Sequence, residues 1–485
     1  MTGQLEDLTT LSATELARLV RERTVSPVEV VDAALARVAE LDETLHAFCE
    51  QTADSARAQA QEQSDAIVRG EKLGPLAGVP IAIKDLIATA GVPTRCGAPA
   101  YRDFVPDEDD IVVERVRGAG AISLGKTTVP EFGYSGVGHN PIGPTARNPW
   151  NPDLTPGGSS AGSGVAVATG MTPLALGSDG GGSVRIPAAH CGIYGFKASM
   201  GRVPAYPGCR DERYPGISSW ESLEHIGPMT RTVDDAALLM SVLAGPDPRD
   251  RHSIPAGDVD WLNATHGGVD GLRVAFSSDF GYLAVDPEVR EIAQRAAEVF
   301  SDLGAVVEHV DVGWDDPFDA FWGLVVGDTD LTGMRAMVAE HGAEMSPHLV
   351  AILEQPWTAE QLTDAKIARQ KLTNRMWRLM ASYDLLLSPT LTVPPFPTGI
   401  QGPTEVDGHT VPDTAWLGFT SPINMTGQPA ASLPAGFTAA GLPVGVQVVG
   451  RHLADATVLR ASAAFETAAP WAHAWPSKST SGVRA

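Results

Sequence analysis

The segment Gly177-Ser178-Asp179-Gly180-Gly181-Gly182-Ser183-Val184-Arg185 constrains this chain more than any other. Three consecutive glycines carry no Cβ, so the backbone can turn its N–H groups toward one point beside Ser183. Donors gathered around a serine are what an oxyanion hole for acyl transfer requires. A second stretch, Pro156-Gly157-Gly158-Ser159-Ser160-Ala161-Gly162-Ser163-Gly164, places Ser159 24 residues upstream (183 − 159). Lys84 lies another 75 residues before it (159 − 84), at the end of the apolar run Val79 to Ile83. That run, bounded by Gly78 and Pro80 and closed by Lys84, predicts a buried strand that delivers a lysine at its end.

Two other local patterns compete with this one. Gly120-Ala121-Ile122-Ser123-Leu124-Gly125-Lys126-Thr127 satisfies the letters of a phosphate-binding loop. Such a loop needs a strand before its first glycine, whereas here a helix-like segment, Ile111 to Arg117, precedes it. Ala121 to Gly125 itself has the character of a strand, ending at Lys126. Gly158-Ser159-Ser160-Ala161-Gly162 fits the nucleophile elbow of α/β-hydrolases, with Ser160 as nucleophile. The preceding Asn148-Pro149-Trp150-Asn151-Pro152 is a poor strand, because proline removes ladder donors.

Along the chain, Ser12 with Glu15 and Ser26 with Glu29 have the spacing of two capping boxes, the second with Pro27 at the first helical position. Val30, Val31, Ala34, Leu35 and Val38 then recur as one helical face, so the first 70 residues are expected to be mostly helical. Helices are expected from about Ser160 to Thr169, after Ser183, and over Pro287 to Leu303. Strands are expected at Leu174 to Gly177, Leu272 to Phe276, Val306 to Val310 and Leu385 to Ser388. Strands alternating with helices indicate an α/β sheet covered on both faces.

The chain has 485 residues with 43% hydrophobic and 19% charged content, enough apolar mass for a large core. Its net charge of −24 argues against a nucleic-acid surface, which needs clustered Lys and Arg, and makes neutral or cationic small molecules the easier partners. Cys49, Cys96, Cys191 and Cys209 have neither metal-ligand spacing nor disulfide density and are expected as reduced thiols. The twelve histidines are scattered, and no metal or other cofactor is implied. Without a basic, apolar leader at Met1 to Leu8 or a run of membrane-spanning length, the expectation is a cytoplasmic protein that does not enter a membrane.

These motifs resemble those of the amidase signature enzymes. The resemblance extends from Ser26-Pro27-Val28-Glu29 through Gly227-Pro228-Met229-Thr230-Arg231-Thr232 to Gly441-Leu442-Pro443-Val444-Gly445, and is weakest from about Gly245 to Ala381. It implies a single large α/β domain over 1–485, with a mixed central sheet covered by helices on both faces. Within it, N-terminal helices occupy about 1–70, the motif-bearing core about 75–245, a variable substrate-shaping region about 246–420, and a C-terminal return about 421–470. It implies further that Ser183 is the nucleophile, that Ser159 takes its proton across a cis Gly158–Ser159 peptide, and that Lys84 is the terminal base. Lys84 must then be neutral. From a reference near 10.4, half-neutrality near pH 7 costs roughly 4 to 5 kcal/mol, within reach of burial. The oxyanion donors would be the N–H groups of Gly180, Gly181, Gly182 and Ser183, with Asp179 and Arg185 as supporting polar groups. Arg185 as a clamp for a substrate carboxylate is the sharper alternative.

Ser178 and Gly180 stand where the family more often has Thr and a larger residue, and Gly180 is expected to leave room at the acyl carbon. His190 stands where an aromatic or small residue is usual; core packing is the expected role and a Ser–His pair the alternative. The pocket is expected from Tyr134, Ser135, Tyr206, Trp220, Trp322 and Trp416, with Phe321, Phe396 and Phe419 as further aromatic candidates. The resulting expectation is a monomeric or homodimeric hydrolase of a neutral, bulky or aromatic amide, anilide or carbamate, with aryl acylamidase or urethanase activity. Three readings stand against it. A glutamine-hydrolysing subunit of a tRNA-dependent amidotransferase would co-purify with partner subunits. An α/β-hydrolase-type esterase would label at Ser160. A non-catalytic binding protein would have lost a catalytic residue, and none is missing.

Overall fold

The computed structural model describes residues 7–208, 211, 213–214, 216 and 220–476. Its strands, in chain order, are β1 (Phe48–Gln51), β2 (Pro80–Lys84), β3 (Ile122–Thr127), β4 (Leu174–Ser178), β5 (Tyr194–Lys197), β6 (Ile226–Thr230), β7 (Arg273–Phe276), β8 (Val306–His309), β9 (Leu385–Pro389), β10 (Glu405–Val406), β11 (His409–Thr410), β12 (Ala430–Phe437) and β13 (Pro443–Gly450). Eleven form one sheet in the order β1-β3-β2-β4-β6-β5-β12-β13-β9-β7-β8, and β10 and β11 form a separate hairpin. The sheet is mixed: β3, β2 and β4 run parallel, as do β9, β7 and β8, while antiparallel pairs join these blocks.

Burial on both faces follows from alternation along the central strands. Ile81 and Ile83 of β2, with Leu174 and Leu176 of β4, enter one apolar cluster; Ala82 and Ala175 enter another on the opposite face. The second cluster receives Val31, Ala34, Leu35 and Val38 from the Pro27–Leu45 helix, the face read from the sequence. Ser26 and Glu29 close a full capping box at its start. At Ser12 only half forms: Ser12 caps the Glu15 N–H, but the Glu15 carboxylate turns outward to Arg18. A salt bridge with a cation one turn on competes directly with the return bond. The first 70 residues also contain β1, a short strand that the helical pattern did not disclose.

The phosphate-loop pattern is interior sheet. β3 lies between β1 and β2, and Lys126 is fully buried, donating to the Ile87 carbonyl and to Thr89 Oγ1 and Thr94 Oγ1 at 3.0 and 2.9 Å. Gly125 has φ +145°, and a Cβ there would lie 2.0 Å from the Glu50 carbonyl oxygen. The glycine lets β1 and β3 approach.

The Asp179–Arg185 pair fixes the loop between β4 and the Arg185–Cys191 helix. Arg185 Nε and Nη2 each lie 2.9 Å from an Asp179 oxygen, and both side chains are fully buried. The remaining guanidinium donors go to the Thr420 carbonyl at 3.1 Å, Gln447 Oε1 at 2.5 Å and Asn424 Oδ1 at 2.6 Å. All five N–H donors of the guanidinium are therefore spent inside the protein. Burial alone would raise the Asp179 carboxyl, but Arg185 overrides it and holds the group below the usual carboxylate range. Arg185→Ala is expected to cost about 3 to 5 kcal/mol, since it strands a buried carboxylate; a chemical-denaturation midpoint matching the parent would refute this. Gly125→Ala is expected to lower stability by roughly 2 to 4 kcal/mol through the clash with Glu50, read as a fall in Tm.

Candidate active site

Parallel pairing explains why Lys84 meets the first Gly/Ser segment. β2 and β4 pair Ile83 with Leu176, so the C-terminal ends of both strands open on the same edge of the sheet. Lys84 ends β2 and Ser178 ends β4. Lys84 Nζ lies 2.8 Å from Ser178 Oγ and 3.1 Å from the Ser178 carbonyl oxygen. Its third contact, at 2.7 Å, is Ser159 Oγ. A carbonyl only accepts, whereas a hydroxyl can donate. A protonated Lys84 can donate to all three groups; a neutral one can donate to the two Ser178 oxygens and accept the Ser159 proton. Burial, opposed by the negative charges of Glu224 and Asp179, lowers the Lys84 pKa to about 8. Ser178 is thus a lysine-holding residue that the sequence marked only as unusual.

Ser159 reaches this point because it immediately precedes Ser160 and the Ala161–Ala168 helix, which packs against the sheet. The Gly158–Ser159 peptide is cis, as the resemblance implied. Ser160 serves a different purpose from its neighbour. Its hydroxyl donates to the Ser178 carbonyl at 3.1 Å and accepts the Ser178 N–H at 3.2 Å, while its N–H reaches the Ser183 carbonyl. It is fully buried and joins the two Gly/Ser segments, which removes it as an exposed elbow nucleophile.

Ser183 and Ser159 line one small cavity with Ser178, Gly180, Trp220 and Glu224. Ser183 and Gly181 also line a larger cavity of about 290 Å³. The expected oxyanion set needs one correction. The Gly182 N–H donates to Asp179 Oδ1 at 2.7 Å, so the buried carboxylate already holds it. Gly180, Gly181 and Ser183 remain as candidate donors. Gly180 does not open space at the acyl carbon either: a Cβ there would lie 2.6 Å from Trp220 Cε3, so the indole occupies that room. Gly181 is filled in the same way by Phe321, whose Cζ would be 2.6 Å from an added Cβ.

Tyr134, Ser135, Trp220 and Trp322 line the larger cavity as expected, joined by Phe318, Phe321, His348 and Gln401. Tyr134 and Trp322 stack with centroids 6.1 Å apart, and Trp220 lies 4.9 Å from Tyr134. Tyr206 and Trp416 do not line it. The Tyr206 carbonyl accepts the Ile111 N–H at the entrance of a helix. Trp416 is buried behind the wall, donating to the Gln401 carbonyl and stacking on His190 at 5.5 Å. Phe396 packs on the other edge of Trp416, and Phe419 on Phe280. His190 is therefore a packing residue: burial lowers its pKa to about 4, and its Nε2 faces the Val393 carbonyl at 3.3 Å. Arg185 has no donor left for a substrate carboxylate. His348 and Gln401 could not be found from spacing, because they come from distant segments of the chain.

Among the described residues no cluster of His, Cys, Asp or Glu could hold a metal ion, and no helix is long and apolar enough to cross a membrane. Cys49, Cys96 and Cys191 are free thiols, and Cys209 lies outside the described residues.

The family model described as Amidase matches residues 29–459. An acylamidase from Rhodococcus erythropolis is 39% identical over 98% of this chain and 98% of that protein. A glutamyl-tRNA(Gln) amidotransferase subunit from Geobacillus thermodenitrificans is 34% identical, covering 94% of this chain and 97% of that one. The crystal structure of a bacterial aryl acylamidase of the amidase signature enzymes superposes with a TM-score of 0.88 at 35% identity, over 95% of this chain and 96% of that one. Matched along nearly its full length by the family model, the acylamidase and the aryl acylamidase structure, this chain belongs to the amidase signature family and is an amidase.

Proposed function

We propose that this amidase hydrolyses neutral aryl amides, anilides above all, through Ser183, Ser159 and Lys84. The observation that carries the assignment is the buried Lys84–Ser159 hydrogen bond of 2.7 Å beside a cavity walled by aromatic rings and containing Ser183. In this scheme Ser183 Oγ attacks the amide carbonyl, and its proton passes to Ser159 as Ser159 gives its own to neutral Lys84. The carbonyl oxygen, now negative, is held by backbone N–H groups from Gly180, Gly181 and Ser183. Collapse expels the amine with the proton returned through Ser159. Water then attacks the acyl-enzyme by the same route, releasing the carboxylic acid and restoring Ser183.

The aromatic wall supports an aryl or bulky apolar group on the substrate, where ring contacts add to area burial. A glutamine substrate, the second reading favoured by the amidotransferase relatives, carries a free carboxylate. The described residues lining the large cavity include no Lys or Arg, and Asp413 adds a negative charge there. This lining supports the neutral amide.

Ser183→Ala is expected to abolish anilide hydrolysis with unchanged circular dichroism, and a serine-directed probe is expected to label Ser183; labelling at Ser160 would reverse the assignment. Lys84→Ala is expected to lose about 10³-fold or more in kcat, and Ser159→Ala about 10²-fold, because water can stand in for a shuttle but nothing replaces the terminal base. The active form requires neutral Lys84, so kcat/KM is expected to rise with pH through an ionisation near 8 and level off above it. A rate that falls across that range would exclude lysine as the base.

A further inference from the structure

A second cavity of about 210 Å³ lies against the first, and the two share His348 and Gln401 as lining residues. These side chains form a hydrogen-bonded belt. Ser135 Oγ donates to Gln401 Oε1 at 2.7 Å, Gln401 Nε2 faces His348 Nδ1 at 3.3 Å, and the backbone of Tyr134 bonds the same imidazole. The carboxamide is thereby oriented, oxygen toward Ser135 and nitrogen toward His348. A primary amide nitrogen has two N–H donors, and His348 takes one.

The second cavity differs in chemistry from the first. Its described lining includes the hydroxyls of Thr145 and Thr398, the imidazole of His139 and the apolar surfaces of Val137 and Pro347, with no carboxylate, ammonium or guanidinium. Behind this lining, Arg147 Nη1 donates to Thr398 Oγ1 at 3.0 Å and to the Pro152 carbonyl. One chamber is aromatic and holds the nucleophile; its neighbour is uncharged and offers hydrogen-bonding groups.

We propose that the two cavities form one divided substrate site, in which the second chamber binds the neutral, hydrogen-bonding far end of an elongated amide. This rests on the amidase reading above and adds a preference for substrate length and for a distal polar group. An acetamide, hydroxyl or ether oxygen at that end can accept the spare Gln401 N–H while its alkyl stem crosses the belt.

The test compares matched anilides at pH 8, where one series extends the acyl side and the other the para position of the ring. Each series has graded alkyl spacers ending in a methyl or an acetamide group, and aniline release is read as kcat/KM. The expected result is a preference of about tenfold for the acetamide end at one spacer length in one of the series, the size of one well-formed hydrogen bond. Ile400 and Thr145 both line the second chamber, and Ile400→Trp and Thr145→Trp, which place an indole there, are expected to bring that acetamide-to-methyl ratio close to one. Equal rates for both ends at every length, or a preference that survives both Trp variants, would overturn the divided site while leaving the anilide assignment intact. Absence of turnover for all anilides, short and long, would instead overturn the anilide assignment and this inference with it.

Discussion

The Arg185 guanidinium is the centre on which this architecture depends. It sits on the first turn after the loop that carries Ser183, yet its partners come from Asp179 beside it and from Thr420, Asn424 and Gln447 in the last quarter of the chain. A guanidinium removed from water needs every donor satisfied, so this one requirement draws the C-terminal strand β13 and the Ser421–Thr426 helix onto the loop that carries Ser183. Asp179 in turn holds the N–H groups of Gly182 and Val184. The loop's shape is therefore set before any substrate arrives, as oxyanion stabilisation demands.

Two buried lysines show how environment, more than burial, assigns a role. Lys84 and Lys126 lie on neighbouring parallel strands, and both are fully enclosed. Burial lowers both pKa values, and for Lys126 the nearby Asp85 carboxylate opposes this. Lys126 also faces one carbonyl and two threonine hydroxyls that tie down the segment after β2. Lys84 faces two serines, Ser159 and Ser178, and both line the small cavity that Ser183 also lines. Both positions end a largely apolar run, so pattern alone could not distinguish the proposed base from the structural lysine.

The candidate constellation was legible because Ser159 and Ser183 lie in short, glycine-rich segments and Lys84 closes a compact apolar run, while their roles came from the family resemblance. The α/β alternation was legible for a similar reason: β2, β4, β7 and β9 are compact apolar runs bounded by turns. β1 carries no such mark, because its four residues, Phe-Cys-Glu-Gln, show only one fully buried side chain. The pocket was half legible. Tyr134, Ser135, Trp220 and Trp322 line it, but Trp416 and Tyr206 do not, since an aromatic side chain can fill a core or face a cavity with the same sequence signature. Gly180 misleads because the space left by a missing side chain belongs to whichever neighbour takes it, and here that neighbour is Trp220, forty residues away (220 − 180).

Trp220 and Phe321 pack directly against Gly180 and Gly181, so the wall of the large cavity also buttresses the loop that carries Ser183. Under the proposed mechanism, selectivity and rate are consequently coupled mechanically. Trimming either ring to admit a larger substrate would also withdraw support from peptide groups that must hold still during the reaction. Divergence toward new substrates would meet less resistance at lining residues such as Ile352, which is not among the atoms nearest to Gly180, Gly181 or Gly182.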